Sequence, residues 1–127
     1  MREKIKMSLR AKLIVASTFT LDFYHFRRKR MLENKFKTKL CNYLSKTYPG
    51  CIITHNDPTE TQGIPDITVL YGKKWIMLEG KKTGNASHRA NQDYYVAHAN
   101  KMSFARFIYP ENEKEVLNEI DEFFSVQ

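Results

Sequence analysis

The sequence predicts an α/β domain whose elements run helix, three strands, helix, strand, helix: an αβββαβ core with a closing helix, its central mixed sheet flanked by helices. Three observations predict it. Two apolar, β-branched runs, Ile67 to Tyr71 and Trp75 to Leu78, flank Gly72-Lys73 as strands flank a tight hairpin turn. Both faces of that hairpin are largely apolar, with Ile67, Val69, Ile76 and Leu78 on one and Thr68, Leu70, Trp75 and Met77 on the other, which is the pattern of a sheet covered on both sides. A helical stretch then separates the hairpin from the aromatic run Phe104 to Tyr109, and strand, helix, strand in that order is a parallel crossover.

The chain has 127 residues and 42% hydrophobic content, enough for one small core and too little for two. Its net charge of +7 is unevenly placed. Residues 1–30 carry nine Lys or Arg against two acidic residues, while residues 31–127 carry twelve of each. This divides the sequence into a basic extension, 1–30, and a domain, 31–127. The extension holds an apolar run from Leu13 to Phe26, interrupted by Asp22, and then Arg27-Arg28-Lys29-Arg30. A run with a charge inside it does not span a bilayer, so no membrane partner is expected, and no small-residue cleavage site precedes the basic cluster. With no pattern that fixes a fold, the extension reads as disordered or as lying ahead of a natural start at Met31; the other reading is a basic arm that tracks nucleic acid.

The domain opens with a helical stripe of Leu32, Phe36, Leu40, Tyr43 and Leu44, with Lys35, Lys37, Lys39 and Lys46 elsewhere, and Pro49-Gly50 stops it. Cys51 to His55 is a short strand. Asn56 to Gly63 is a polar loop in which Asp57 and Glu60 are reserve acidic residues, and Gly63 lets the backbone turn tightly before Pro65-Asp66. After the hairpin, Lys82 to Ser87 is a basic connection. Asn85 or Ser87 is expected to cap a helix running to about Lys101, with Ala90, Tyr94 and Ala97 on its inner side. Pro110 closes the last strand. Val116, Leu117, Ile120, Phe123 and Phe124 then repeat at helical spacing beneath an acidic outer face. Cys41 and Cys51 form no redox or metal spacing and read as reduced thiols, and the four histidines form no zinc-type cluster.

The hairpin also carries the chemistry. Gly at the first central position indicates a type II′ turn, which pairs Tyr71 with Lys74 and, counting outward, sets Asp66 opposite Glu79 with Lys81 on the same face. Opposed carboxylates repel, and a divalent cation removes the conflict. Mg²⁺ takes hard oxygen ligands, here Asp66, Glu79 and the backbone carbonyl of Gly80, and keeps several waters. Lys81 beside such an ion can orient a water or stabilise charge on phosphorus, so the constellation reads as phosphodiester hydrolysis. The plain alternative is a salt-bridged surface pair of little energetic worth.

Pro65-Asp66 followed thirteen positions after the Asp by Glu79-Gly80-Lys81 resembles the PD-(D/E)XK nuclease signature, and Gly63-Ile64-Pro65-Asp66 with the later Gln92 resembles its VRR-NUC branch of stand-alone phage and bacterial nucleases. Gly80 departs from the large apolar residue usual at the middle of the second motif. The resemblance implies a restriction-endonuclease-like αβββαβ core over about residues 31–124 and a Mg²⁺-dependent endonuclease, Mn²⁺ substituting. It further implies Glu33 as an extra metal ligand and Gln92 as a catalytic helix glutamine. The expected partner is DNA, double-stranded or branched as for Holliday-junction resolvases, contacted by Lys82, Arg89 and Lys35, with His88 a weaker candidate. A homodimer and a cytoplasmic location in a bacterial or phage-infected cell complete the expectation. The alternative from another class is a nuclease-fold protein without activity that keeps only a nucleic-acid-binding or regulatory surface.

Overall fold

The computed structural model describes the backbone of residues 9–126 and the side chains of residues 20–126. No Gly or Pro interrupts the sequence between Leu9 and Thr47, and the whole of that stretch is one helix, α1 (Leu9–Thr47). It ends where Pro49 cannot continue it and Gly50 turns left-handed at φ 85°. The extension expected to lack a fold is therefore helical over its described part; residues 1–8 of it lie outside the described residues. Among its described side chains Leu21, Phe23, Tyr24 and Phe26 are all exposed, so they form no buried apolar stripe that would mark a helix. The chain divides into two compact units, one through Leu32 and one from Glu33 onward.

The second unit holds β1 (Ile52–His55), β2 (Ile67–Tyr71), β3 (Lys74–Gly80), α2 (Ala90–Met102), β4 (Phe104–Ile108) and α3 (Glu113–Ser125). The four strands form one mixed sheet in the order β1-β2-β3-β4. The first two junctions are antiparallel, and β3 pairs with β4 in parallel. Tyr71 pairs with Lys74 as expected, and the pairing runs outward to Ile67 opposite Leu78. Gly72 has φ 62° while no non-glycine residue has positive φ, so only the first central turn position is left-handed, as a type II′ turn requires.

The alternation along the hairpin decides both packing layers. Ile67, Val69, Ile76 and Leu78 join Phe104 and Ile108 of β4, Leu40, Leu44 and Tyr48 of α1, and Val116 and Ile120 of α3 in the main core. Trp75 and Met77, on the other face, pack with Val96 and Ala99 of α2 and Ala105 and Phe107 of β4. The inner face of α2 is thus not the one expected, since Ala90, Tyr94 and Ala97 are exposed. Small apolar residues lie all round this helix, so its period does not mark a face. Among the described residues no helix is long and apolar enough to cross a membrane.

Leu44 is completely buried in the main core, whereas Leu70 is 42% exposed. Leu44→Ala is expected to cost about 2–5 kcal/mol, and Leu70→Ala less than about 1 kcal/mol, in urea unfolding of the full chain. Equal losses at the two positions would contradict this packing.

Candidate active site

Asp66 stands one residue before β2 and is fixed from behind. The Asn56 backbone N–H donates to the Asp66 carbonyl at 2.8 Å, and the Asn56 side-chain amide donates to the Pro65 carbonyl at 2.8 Å and the Thr68 hydroxyl at 2.9 Å. Beyond the last registered pair, Ile67 and Leu78, the next positions are Asp66 and Glu79. There the Asp66 N–H donates to Glu79 Oε2 at 3.0 Å. The two carboxylates are brought together as the hairpin register requires.

Glu79 is only 3% exposed. Its other oxygen, Oε1, accepts a hydrogen bond from Gln92 Nε2 at 2.8 Å, and the Lys81 ammonium lies 3.8 Å from it. Gln92 Oε1 in turn accepts from Lys81 Nζ at 2.8 Å and from the Arg89 N–H at 3.1 Å. Two donors on its oxygen and a carboxylate on its nitrogen allow this amide one orientation, because the flipped form would set NH₂ against an ammonium. Gln92 shares a helical face with Val96 and Ala99, four and seven residues on, and that face carries it inward. Burial, and after it the negative charge of Asp66, pushes the Glu79 carboxyl from 4.5 up to about 7, against the opposing pull of Lys81, the Asp66 N–H and Lys37.

On its other side Asp66 meets Lys37 of α1. The ammonium lies 2.7 Å from Asp66 Oδ2 and 3.0 Å from Glu33 Oε1. Asp66 Oδ2 is buried and meets the Lys37 ammonium at 2.7 Å, a charge-assisted contact. Burial of Lys37 lowers its pKa, but Asp66 and then Glu33 outweigh that effect and leave it above 10.5. The stem of Lys37 runs across the backbone of Gly80. A Cβ added there would stand 2.9 Å from Lys37 Cγ and 3.0 Å from its Cε, so the glycine that departs from the expected apolar residue makes room for the lysine.

The loop before Asp66 packs on the start of α2. Gly63 has φ 90°, and a Cβ on it would come within 2.4 Å of Asn91 Cβ. Loop and helix enclose an open cavity of about 470 Å³ lined by Thr59, Gln62, Gly63, Asp66, Arg89 and Gln92, among others. The Arg89 side chain forms part of its wall.

Asp66, Glu79, Lys81 and Gln92 therefore converge, with Gly80 in the strand between Glu79 and Lys81 and Arg89 beside them. The other residues named from the sequence stand outside this cluster. Glu33 does not reach the carboxylate pair directly, because Lys37 stands between it and Asp66. Lys35 is exposed on α1 and takes no part in these contacts; Lys82 is half-buried next to Lys81. His88 stacks on Phe107 with ring centroids 4.0 Å apart and pairs with Asp93, a structural engagement rather than a free phosphate contact. Asp57 closes its own turn by accepting from the Thr59 N–H and hydroxyl, and Arg89, not Asn85 or Ser87, precedes the first turn of α2. Lys37 and Asn56 went unmarked in the sequence; the one available signal for Lys37 was its position four residues after Glu33 on a helix.

Among the described residues no group of three or more His, Cys, Asp or Glu side chains is arranged to hold a metal ion. Two carboxylates still suit Mg²⁺, which takes hard oxygen ligands and keeps several of its waters, and the buried Asp66 Oδ2 already holds one cation, the Lys37 ammonium. Comparison with protein-family models, with curated proteins and with solved structures returns no match for this chain.

The raised pKa of Glu79 has a defined effect on stability. The folded state holds this proton more tightly than the unfolded chain, so the proton's stabilising contribution is complete below about pH 4.5 and is lost as pH rises through about 7. Glu79→Gln stays neutral throughout. Without metal, its stability relative to wild type is expected to rise by about 3 kcal/mol between about pH 4.5 and pH 8, read from urea titrations. A difference that does not change with pH would show that Glu79 ionises normally.

Proposed function

We propose that this chain is a Mg²⁺-dependent endonuclease of the PD-(D/E)XK type, VRR-NUC-like, with a restriction-endonuclease-like arrangement of its core. The observation that carries the reading is the opposition of Asp66 and Glu79 across the hairpin, with Lys81 and Gln92 tied to Glu79. The sheet, three antiparallel strands followed by a parallel one after a helix, agrees with it. A fold alone does not assign an activity, so the argument rests on the site.

Asp66, Glu79 and the carbonyl of Gly80 would hold the ion, which supplies Lewis-acid polarisation of a phosphoryl oxygen and a more acidic water. The protein's own groups do the rest. Lys81, 9% exposed and held by Gln92, presents a positive charge fixed in direction where negative charge grows on the phosphoryl oxygens. Gln92 is a positioning residue: it keeps Lys81 and Glu79 at one spacing through the two ends of one amide. Arg89 on the cavity wall meets the phosphate backbone of DNA, an attraction that weakens with salt. The Thr59 to Ile64 loop, packed tightly on Asn91, shapes the mouth and suits branched or distorted duplex better than a flat surface would.

One observation favours a second reading. Lys37 already neutralises Asp66, as befits a protein that binds nucleic acid without cutting it. Labelled linear duplex, single-stranded and four-way-junction DNA, incubated with Mg²⁺, Mn²⁺ or EDTA, separates the two. The nuclease reading expects metal-dependent cutting, fastest on the junction, that falls at least about a hundredfold in Asp66→Ala and in Lys81→Ala. Salt-sensitive binding with no cutting under any metal would replace it with the second reading.

A further inference from the structure

The cations around the two carboxylates are divided between them. Glu79 is satisfied by the Gln92 amide and the Asp66 N–H, with Lys81 nearby. Asp66 Oδ2, itself buried, is compensated by the Lys37 ammonium. A buried carboxylate oxygen favours a cation beside it, and in this structure that cation is Lys37. An ammonium 2.7 Å from an oxygen and a divalent ion in contact with the same oxygen cannot share the position. The Lys37 stem lies in the space that residue 80, lacking a Cβ, leaves open, and its ammonium is held from the far side by Glu33, one helical turn earlier on α1.

We propose that Lys37 is an internal counter-ion that competes with the divalent cation for Asp66: it occupies the carboxylate in the metal-free protein, withdraws toward Glu33 when metal binds, and thereby sets the metal concentration at which the site fills. The inference rests on the reading of Asp66 and Glu79 as the metal-holding pair. It assigns Glu33 a different task from ligation, that of receiving and keeping the displaced lysine. It also gives Gly80 a task, that of leaving the path the lysine moves along.

The test is Mn²⁺ binding to the full chain without nucleic acid, read by calorimetry and by the loss of the free-Mn²⁺ paramagnetic resonance signal. Lys37→Met keeps the length and apolar stem of the side chain and is expected to bind Mn²⁺ about tenfold more tightly than wild type. Gly80→Ala keeps every charge but pushes the stem aside, and is expected to tighten binding in the same direction. The double variant should bind no more tightly than Lys37→Met, because both changes remove one contact. Lys39→Met removes the same charge from an exposed position on α1 and should leave affinity within about twofold.

Equal affinity of wild type and Lys37→Met would overturn the inference while leaving the metal pair intact. An equal gain from Lys39→Met would overturn it too, by showing that net charge rather than occupancy is at work. No Mn²⁺ binding by any variant would remove the metal reading and this inference with it. If Lys37→Met does not fold without metal, Gly80→Ala decides the question alone, since its lysine remains to pair with Glu33.

Discussion

Two carboxylates face each other in this protein because a two-residue turn leaves the chain no other register. Gly72 takes the left-handed conformation, Tyr71 pairs with Lys74, and five paired positions later the strands reach Asp66 and Glu79. A slip of one residue would turn Ile67, Val69, Ile76 and Leu78 out of the main core, so the core holds the register and the register holds the acids together. Fold and candidate site are in this sense one constraint. The repulsion between the acids is the cost of that geometry, and the packing of four apolar side chains exceeds it.

The rest of the site offsets that cost group by group. Glu79 is compensated by an amide hydrogen bond, a backbone N–H and a lysine at a longer distance, yet burial still leaves its carboxyl at about 7. Asp66 is compensated by one ion pair. A site built this way is neutral enough to fold without metal and retains oxygens that gain from one. Strain of this kind, kept where stability alone would select apolar residues, is what marks the pair as a candidate functional site. The tight approaches at Gly63 and Gly80 belong to the same design, each bringing another element against the backbone next to the acids.

Much of this was legible in the sequence, and the parts that were not have identifiable reasons. Strand alternation is a period-two signal with little ambiguity, so the two faces of the hairpin, the turn type and the opposition of Asp66 and Glu79 could be read directly. Helix faces were harder. In α2 alanines lie on every side, and only the buried pair Val96 and Ala99 shows that Gln92 faces inward. The first part of α1 has no apolar stripe to mark it, since its described apolar side chains from Leu21 to Phe26 are exposed, although no Gly or Pro breaks the sequence between Leu9 and Thr47. Arg89 could not be foreseen as the residue before α2, since Asn85 and Ser87 are the better cap formers. In the sequence Lys37 is one of four lysines off the apolar stripe of α1. Its partner Asp66 lies on another element and its path depends on the absence of a side chain at Gly80, and neither relation leaves a trace in local pattern.

The central claim is that Asp66 and Glu79 form a cation-binding pair. Thermal unfolding with increasing Mn²⁺, compared between wild type and Asp66→Asn, tests it without reference to substrate. A ligand that binds only the folded state raises the melting temperature by mass action. The account predicts a rise for wild type that grows with Mn²⁺ concentration and is absent from Asp66→Asn. The same rise in both proteins, or none in wild type at millimolar Mn²⁺, would contradict it.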